Sequence, residues 1–208
     1  MLVYSGILSY PSVTEINFMQ DYIEDQIFDK LDFTQTPFSN GQYDHCTFLN
    51  CNFSNVDLSG NTFTDCDFIG CNLSLAKLNK TAFRDVTFKD CKMLGLHFEN
   101  CNDFGFSITT NHCILSHSTF YRVKLKKTSF SNTKLDEVDF TECDLSEATF
   151  DYCDLNLATF QNTILEKADF RTAYNYSIDP EENRIKKAKF SQSGISGLLN
   201  KYDIIITV

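Results

Sequence analysis

Between Leu115 and Phe170 every fifth residue is leucine or phenylalanine, without an exception. An earlier series runs Phe48, Phe53, Leu58, Phe63, Phe68, Leu73, Leu78, Phe83, Phe88, Met93, Phe98, and stops at Asp103. It resumes two residues out of phase. Two places before each centre stands a small or short side chain, such as Cys46, Cys51, Val56, Asn61, Cys66, Ala148, Cys153 or Ala168. A period of five matches neither the 3.6 of a helix nor the 2 of a flat strand. It suits a chain that turns a corner every five residues, with the centre and the residue two before it facing inward. The other three positions carry Asp, Asn, Ser, Thr, Lys and Glu and face water. One such unit cannot bury its own centre, so successive units must stack. The chain has 20 Phe, 9 Tyr and no Trp in 208 residues, and the stack gives the rings somewhere to go.

The copies Ala148-Thr149-Phe150, Cys153-Asp154-Leu155 and Ala168-Asp169-Phe170 resemble the consensus A-(D/N)-(L/F)-x-x of the pentapeptide-repeat family. The resemblance covers roughly residues 43–175. It implies an all-β fold, the right-handed quadrilateral β-helix, in which four units close a coil of about 20 residues at the inter-strand spacing of ~4.8 Å. Residues 20 apart then stack. With the two-residue slip placed at Asn111-His112, one column reads Phe48, Phe68, Phe88, Ile108, Phe130, Phe150, Phe170, whose rings are expected to stack in the core. The other columns are richer in leucine. Cys51, Cys71, Cys91, Cys113 and Cys153 share one inward column, interrupted by Thr133. Cysteine serves there as a small buried filler. The four His residues make no ligand set with the thiols, and no metal or cofactor is expected.

The expected organisation has three parts. Residues 1–42 form an N-terminal cap and a degenerate first coil, with Asp21 to Asp29 either a short acidic helix or an opening strand. Residues 43–190 form the β-helix, interrupted near 103–112 and 174–187. Ile178 and Ile185 are expected to pair across a short hairpin in the second interruption. Residues 191–208 form a cap. Ile195, Leu198 and Leu199 have the spacing of a short amphipathic helix, and Asp203–Val208 reads as an edge strand.

The formal net charge is −10, which makes bare nucleic acid a poor partner. The acidity is uneven. Residues 1–40 hold six acids and one base, 141–180 eight and two, whereas 101–140 are near neutral because Arg122, Lys124, Lys126, Lys127 and Lys134 cluster there. The opening MLVYSGILSYPSVTEINF lacks the basic and apolar regions of a signal peptide. No apolar run reaches the ~18 residues of a membrane span. With nine Cys, an odd number, a reducing cytoplasm is the expected setting. None of the phosphate-loop, dinucleotide, serine-hydrolase or zinc-protease motifs is present, so no catalytic residue and no enzyme is expected.

The expected function is a non-enzymatic scaffold that binds proteins. The resemblance adds an alternative, because some family members, the Qnr-like and MfpA-like ones, mimic DNA. They bind DNA gyrase or topoisomerase IV and modulate fluoroquinolone sensitivity. Glu142, Asp144, Glu147 and Asp151 are the acidic surface expected to engage such a partner. The basic cluster at 122–134 departs from that pattern. The apolar tail is expected to make a homodimer, with Ile195, Leu198, Leu199, Ile204, Ile206 and Val208 at the twofold interface.

Overall fold

The computed structural model describes residues 21–207. Val208 and the first part of the expected N-terminal cap lie outside the described residues. Within them the chain is an all-β parallel solenoid with four sides. Two sides are built from strands of two to four residues, joined in a four-stranded sheet and a nine-stranded sheet. The other two sides are held by single bridges such as Asn52↔Asn72 and Asp139↔Thr159. We number the sides by their centres: the first runs through Phe48, the second through Phe53, the third through Leu58 and the fourth through Phe63.

Pairing between levels sets the register. Phe48 lies over Phe28 and under Phe68, and Phe130 lies under Phe150, each twenty residues apart. Backbone groups that face along the rod find partners one level away, as in Leu73 N–H to the Lys92 carbonyl at 2.7 Å and Asn72 N–H to the Cys51 carbonyl at 3.0 Å. The coil already runs from Asp21, where Asp21–Glu24 is a strand paired to Gly41–Asp44 rather than a helix.

Most corners are made at the second residue after a centre, and that residue is left-handed. His45, Asn50, Asn55, Asp65, Leu75, Lys80, Asp85 and Asp90 all have φ between 50° and 60°, and Gly60, Gly70 and Gly95 fill further corners. The later coils repeat the pattern through Lys127, Glu147, Leu157 and Lys167. A left-handed residue with a Cβ costs roughly 1–2 kcal/mol, so the corners are strained positions that stacking must offset. Leu157 is the least suited of them, since it is also 70% exposed.

The core is a set of ring stacks. Phe48–Phe68 and Phe150–Phe170 lie at 4.6 Å between centroids, and Phe68–Phe88 and Phe130–Phe150 at 5.1 Å. The expected single column needs a correction. Thr110, not Ile108, lies between Phe88 and Phe130, and Ile108 sits in the neighbouring inward slot over Val86. The two extra residues are shed earlier than Asn111-His112, within 102–106. Asn102 N–H still bonds the Thr81 carbonyl in the lower register, while Val86 N–H already bonds Ser107. The physical reason is Asp103. A carboxylate without a partner is too costly to bury, so it turns to solvent. Phe106 takes its place, edge-on to Phe83 and Phe98 at 6.4 and 6.2 Å. The first-side stack is therefore split in two, and Phe98–Phe120, 4.3 Å apart on the third side, carries aromatic stacking past the break.

The second expected interruption, at 174–187, adds no residues. Tyr174 bridges Asp154, Arg184 bridges Ile164, and Phe190 pairs with Phe170, all twenty apart. No hairpin joins Ile178 to Ile185. Ile178 and Tyr176 are buried across the end of the core, and Ile178 N–H bonds the Gly197 carbonyl at 2.9 Å. Gly197 packs so closely there that a Cβ would lie 2.3 Å from the Tyr176 carbonyl oxygen.

The C-terminal segment also differs from expectation. It forms two 3₁₀ turns, Ile195–Leu198 and Asn200–Tyr202, and no strand. Serines and two glycines around Ile195 are weak helix formers, and a strand needs a ladder partner that the segment lacks. Leu198 packs on the core, but Ile195 is exposed. No helix among the described residues is long and apolar enough to cross a membrane.

Two stability outcomes follow from this packing. Phe130→Ala, which empties a fully buried ring site, should cost about 3–5 kcal/mol in chemical denaturation. Leu157→Asn, which suits the left-handed corner and removes an exposed apolar group, should raise the denaturation midpoint; a lowered midpoint would contradict the strain assigned to that corner.

Candidate interaction surface

The interior explains the cysteines first. The thiols of Cys71, Cys91 and Cys113 donate to the carbonyls of Phe48, Phe68 and Phe88 one level below, at 3.3, 3.3 and 3.4 Å. Hydroxyls do the same at other levels: Thr81 to Leu58 and Thr163 to Phe140 at 2.8 Å, and Ser118 to Met93 at 2.9 Å. The slot two before each centre therefore takes a small hydrogen-bond donor as readily as a small apolar group. Periodicity missed this, although the alternation of Cys with Thr and Ser was its trace. All nine cysteines are free, and eight are buried. Burial pushes the thiols of Cys66, Cys143 and Cys153 up to about 12, so they stay protonated and unreactive at neutral pH.

On the outside, the four acids singled out from sequence do not share a face. Glu142 is at the corner that ends the third side and is ion-paired to Arg122 at 2.7 Å. Asp144 and Glu147 are on the fourth side, where Glu147 pairs with Lys167 at 3.5 Å. Asp144 spends one oxygen on the Ser146 N–H at 3.0 Å. Asp151 has turned onto the first side, where the Thr172 hydroxyl donates to it at 2.9 Å. Nearness in sequence separates side chains here, because each five residues turn a corner.

The fourth side instead divides its charges by height. Its lower levels present Glu24, Asp25, Asp44, Asp65 and Asp85 with two basic residues, Arg84 and His45. Its upper levels present Lys124, Lys126, Lys127, Lys167, Arg184, Lys186 and Lys187 against Asp144, Glu147 and Glu166. Ladder bonds confirm the columns: Asp25 N–H to Asp44 and Asp65 N–H to Arg84 below, Lys127 N–H to Ser146 and Lys167 N–H to Lys186 above. The 102–106 loop sits at the boundary. Its Phe104 is 76% exposed, with the Arg84 guanidinium 5.8 Å from the ring centroid. Near the lower end, Asp44 accepts from Tyr22 at 2.8 Å and contacts His45 at 2.8 Å. The Tyr22 hydroxyl, hydrogen-bonded to that carboxylate, is raised to about 12.

The tail offers a second apolar surface. Ile204 and Ile206 are half exposed and Ile205 is 93% exposed, while Leu199 is half-buried. Lys201 anchors the segment to the last coil through Asp179 and Glu181, at 2.7 and 2.6 Å.

The family model of the pentapeptide repeat region matches residues 61–102 and 107–174, breaking at the loop, and a model of eight pentapeptide repeats matches 44–74. No curated protein sequence matches the chain. Among solved structures, full-length QnrB1, a plasmid-mediated fluoroquinolone resistance protein, is 21% identical, with a TM-score of 0.49 over 88% of this chain and 100% of that one. HetL, a pentapeptide repeat protein involved in heterocyst differentiation regulation from the cyanobacterium Nostoc sp. strain PCC 7120, is 16% identical, with a TM-score of 0.43 over 82% and 85%.

The thiol environment has a direct readout. A colourless-to-yellow disulfide reagent at pH 8 should react with almost none of the native thiols and with all nine after denaturation; fast native reaction at several sites would contradict their burial.

Proposed function

This chain belongs to the pentapeptide-repeat family, and from that premise we propose that it is a non-enzymatic, protein-binding rod whose lower fourth side engages a basic protein surface. The observation that carries this reading is the acidic edge Glu24, Asp25, Asp44, Asp65, Asp85. Its carboxylates are set by the backbone ladder at a repeat of about 4.8 Å. A rigid row of like charge raises the rate of encounter with an oppositely charged groove and fixes the register of docking. The free thiols support action in a reducing compartment, the cytoplasm. The exposed Ile204, Ile205 and Ile206 support tail-to-tail homodimerisation as the way this apolar surface is covered.

A narrower reading is favoured by the same edge: the rod imitates a stretch of DNA and occupies the DNA-binding groove of gyrase or topoisomerase IV. Against it stands the basic upper half of that side, which a duplex would not present.

The two are separated by titrating the protein into gyrase supercoiling assays with and without ciprofloxacin. DNA mimicry should alter supercoiling or drug sensitivity at micromolar protein, and the effect should fade with salt. Triple reversal, Asp44→Lys, Asp65→Lys and Asp85→Lys, should abolish it. No change in gyrase activity removes the mimic reading. For the broader reading, partners cross-linked to the rod at low salt should be lost from the triple variant. Partners held equally well by that variant would place binding elsewhere.

A further inference from the structure

The fourth side carries two opposite patches separated by an apolar knob. Among its upper residues Lys124, Lys126, Lys127, Lys186 and Lys187 are exposed and take part in no ion pair, whereas Glu147 and Glu166 are already matched by Lys167 and Arg184. Among its lower residues Glu24, Asp25, Asp65 and Asp85 are exposed and likewise have no cation partner. The middles of the two halves are five levels apart, about 24 Å, or roughly three Debye lengths at physiological salt. They are too far apart to neutralise each other within one copy. At the boundary stands Phe104, an aromatic ring more than three-quarters exposed.

We propose that this side pairs with the same side of a second copy, the two rods running antiparallel about a twofold axis at the 102–106 loop. The arrangement sets Glu24 and Asp25 of one copy against Lys186 and Lys187 of the other. Asp85 then faces the Lys124–Lys127 group. The two Phe104 rings meet near the axis, giving an apolar centre within a charged rim. A parallel pairing would set like charge on like charge throughout. Asp65 approaches Asp144 and Glu147 in the antiparallel arrangement, a local repulsion that the two lysine groups on either side outweigh. One side of a rod this size falls at the small end of specific interfaces, below ~1,200 Å² in total. The pair is therefore weak and sensitive to salt. This inference does not depend on the identity of any other partner, but it uses the acidic edge, so self-pairing and partner binding compete.

The test uses the full chain. Sedimentation at about 20 mM salt should reveal self-association whose dissociation constant rises at least tenfold by about 300 mM. Carbodiimide coupling of mixed light and ¹⁵N-labelled protein should join Glu24 or Asp25 to Lys186 or Lys187 between copies. Within one copy those residues are separated by nearly the whole rod.

Two variants complete the test. One carries Lys126→Glu, Lys127→Glu, Lys186→Glu and Lys187→Glu. The other carries Glu24→Lys, Asp25→Lys, Asp65→Lys and Asp85→Lys. Both Lys and Glu already occupy left-handed corners in this chain, so the fold should tolerate either set. Each variant alone should lose the salt-sensitive association and the cross-links, and an equimolar mixture should regain both. A monomer at low salt would overturn the proposal, as would a mixture that fails to associate. So would a salt-insensitive dimer lacking those cross-links, which would assign assembly to the apolar tail. Retention of the intact chain on heparin without self-association would assign the lysines to a polyanion instead.

Discussion

No level of this rod buries its own centre. Phe68 is dry only because Phe48 lies below it and Phe88 above, and its backbone amides are satisfied only by those same neighbours. Burial and hydrogen bonding along the axis therefore act together. They hold the left-handed corners, each strained on its own, in a conformation that an isolated pentapeptide would abandon. The ends are where the arrangement is exposed. At the upper end Tyr176, Ile178 and Leu198 cover the core, and Ile204, Ile205 and Ile206 are left on the outside.

The five-residue repeat and the inward or outward sense of each position are legible in the sequence because a single period specifies them, while the four-sided coil came from the family resemblance. What escaped were the places where two readings satisfy that period equally. Ile108 and Thr110 are both plausible inward residues, and choosing between them requires knowing where two residues are shed. That depends on Asp103 refusing burial and Phe106 accepting it, a competition decided by local packing. The turn chemistry of Asp179-Pro180 suggested a departure at 174–187, yet the coil absorbs it in register. The tail has the apolar spacing of a helix, but its serines and glycines limit it to 3₁₀ turns. The left-handed corners left a trace in Asn50, Asn55, Gly60, Asp65 and Gly70, overlooked because Leu75 and Lys80 at equivalent corners obscure it.

Charge was the least legible property of the candidate surface. Glu142, Asp144, Glu147 and Asp151 look like one patch in the linear chain, while Asp25, Asp65 and Asp85 look unrelated. Folding reverses both impressions. A solenoid sorts its surface by residue number modulo the coil, so a patch is a set of distant residues, and its sign changes only where the register or the composition changes. Here both change at the same loop, between Arg84 below and Lys124 above.

The loop also sets how this gene product is able to change length. A tandem duplication of one coil anywhere between Ile108 and Phe170 would add a level whose inward residues meet their own kind above and below, with every outward column continued. A duplication whose length is not a multiple of five would have to discharge its remainder at a corner, as residues 102–106 do, and would leave a bulge. Growth of such a chain is in that sense quantised.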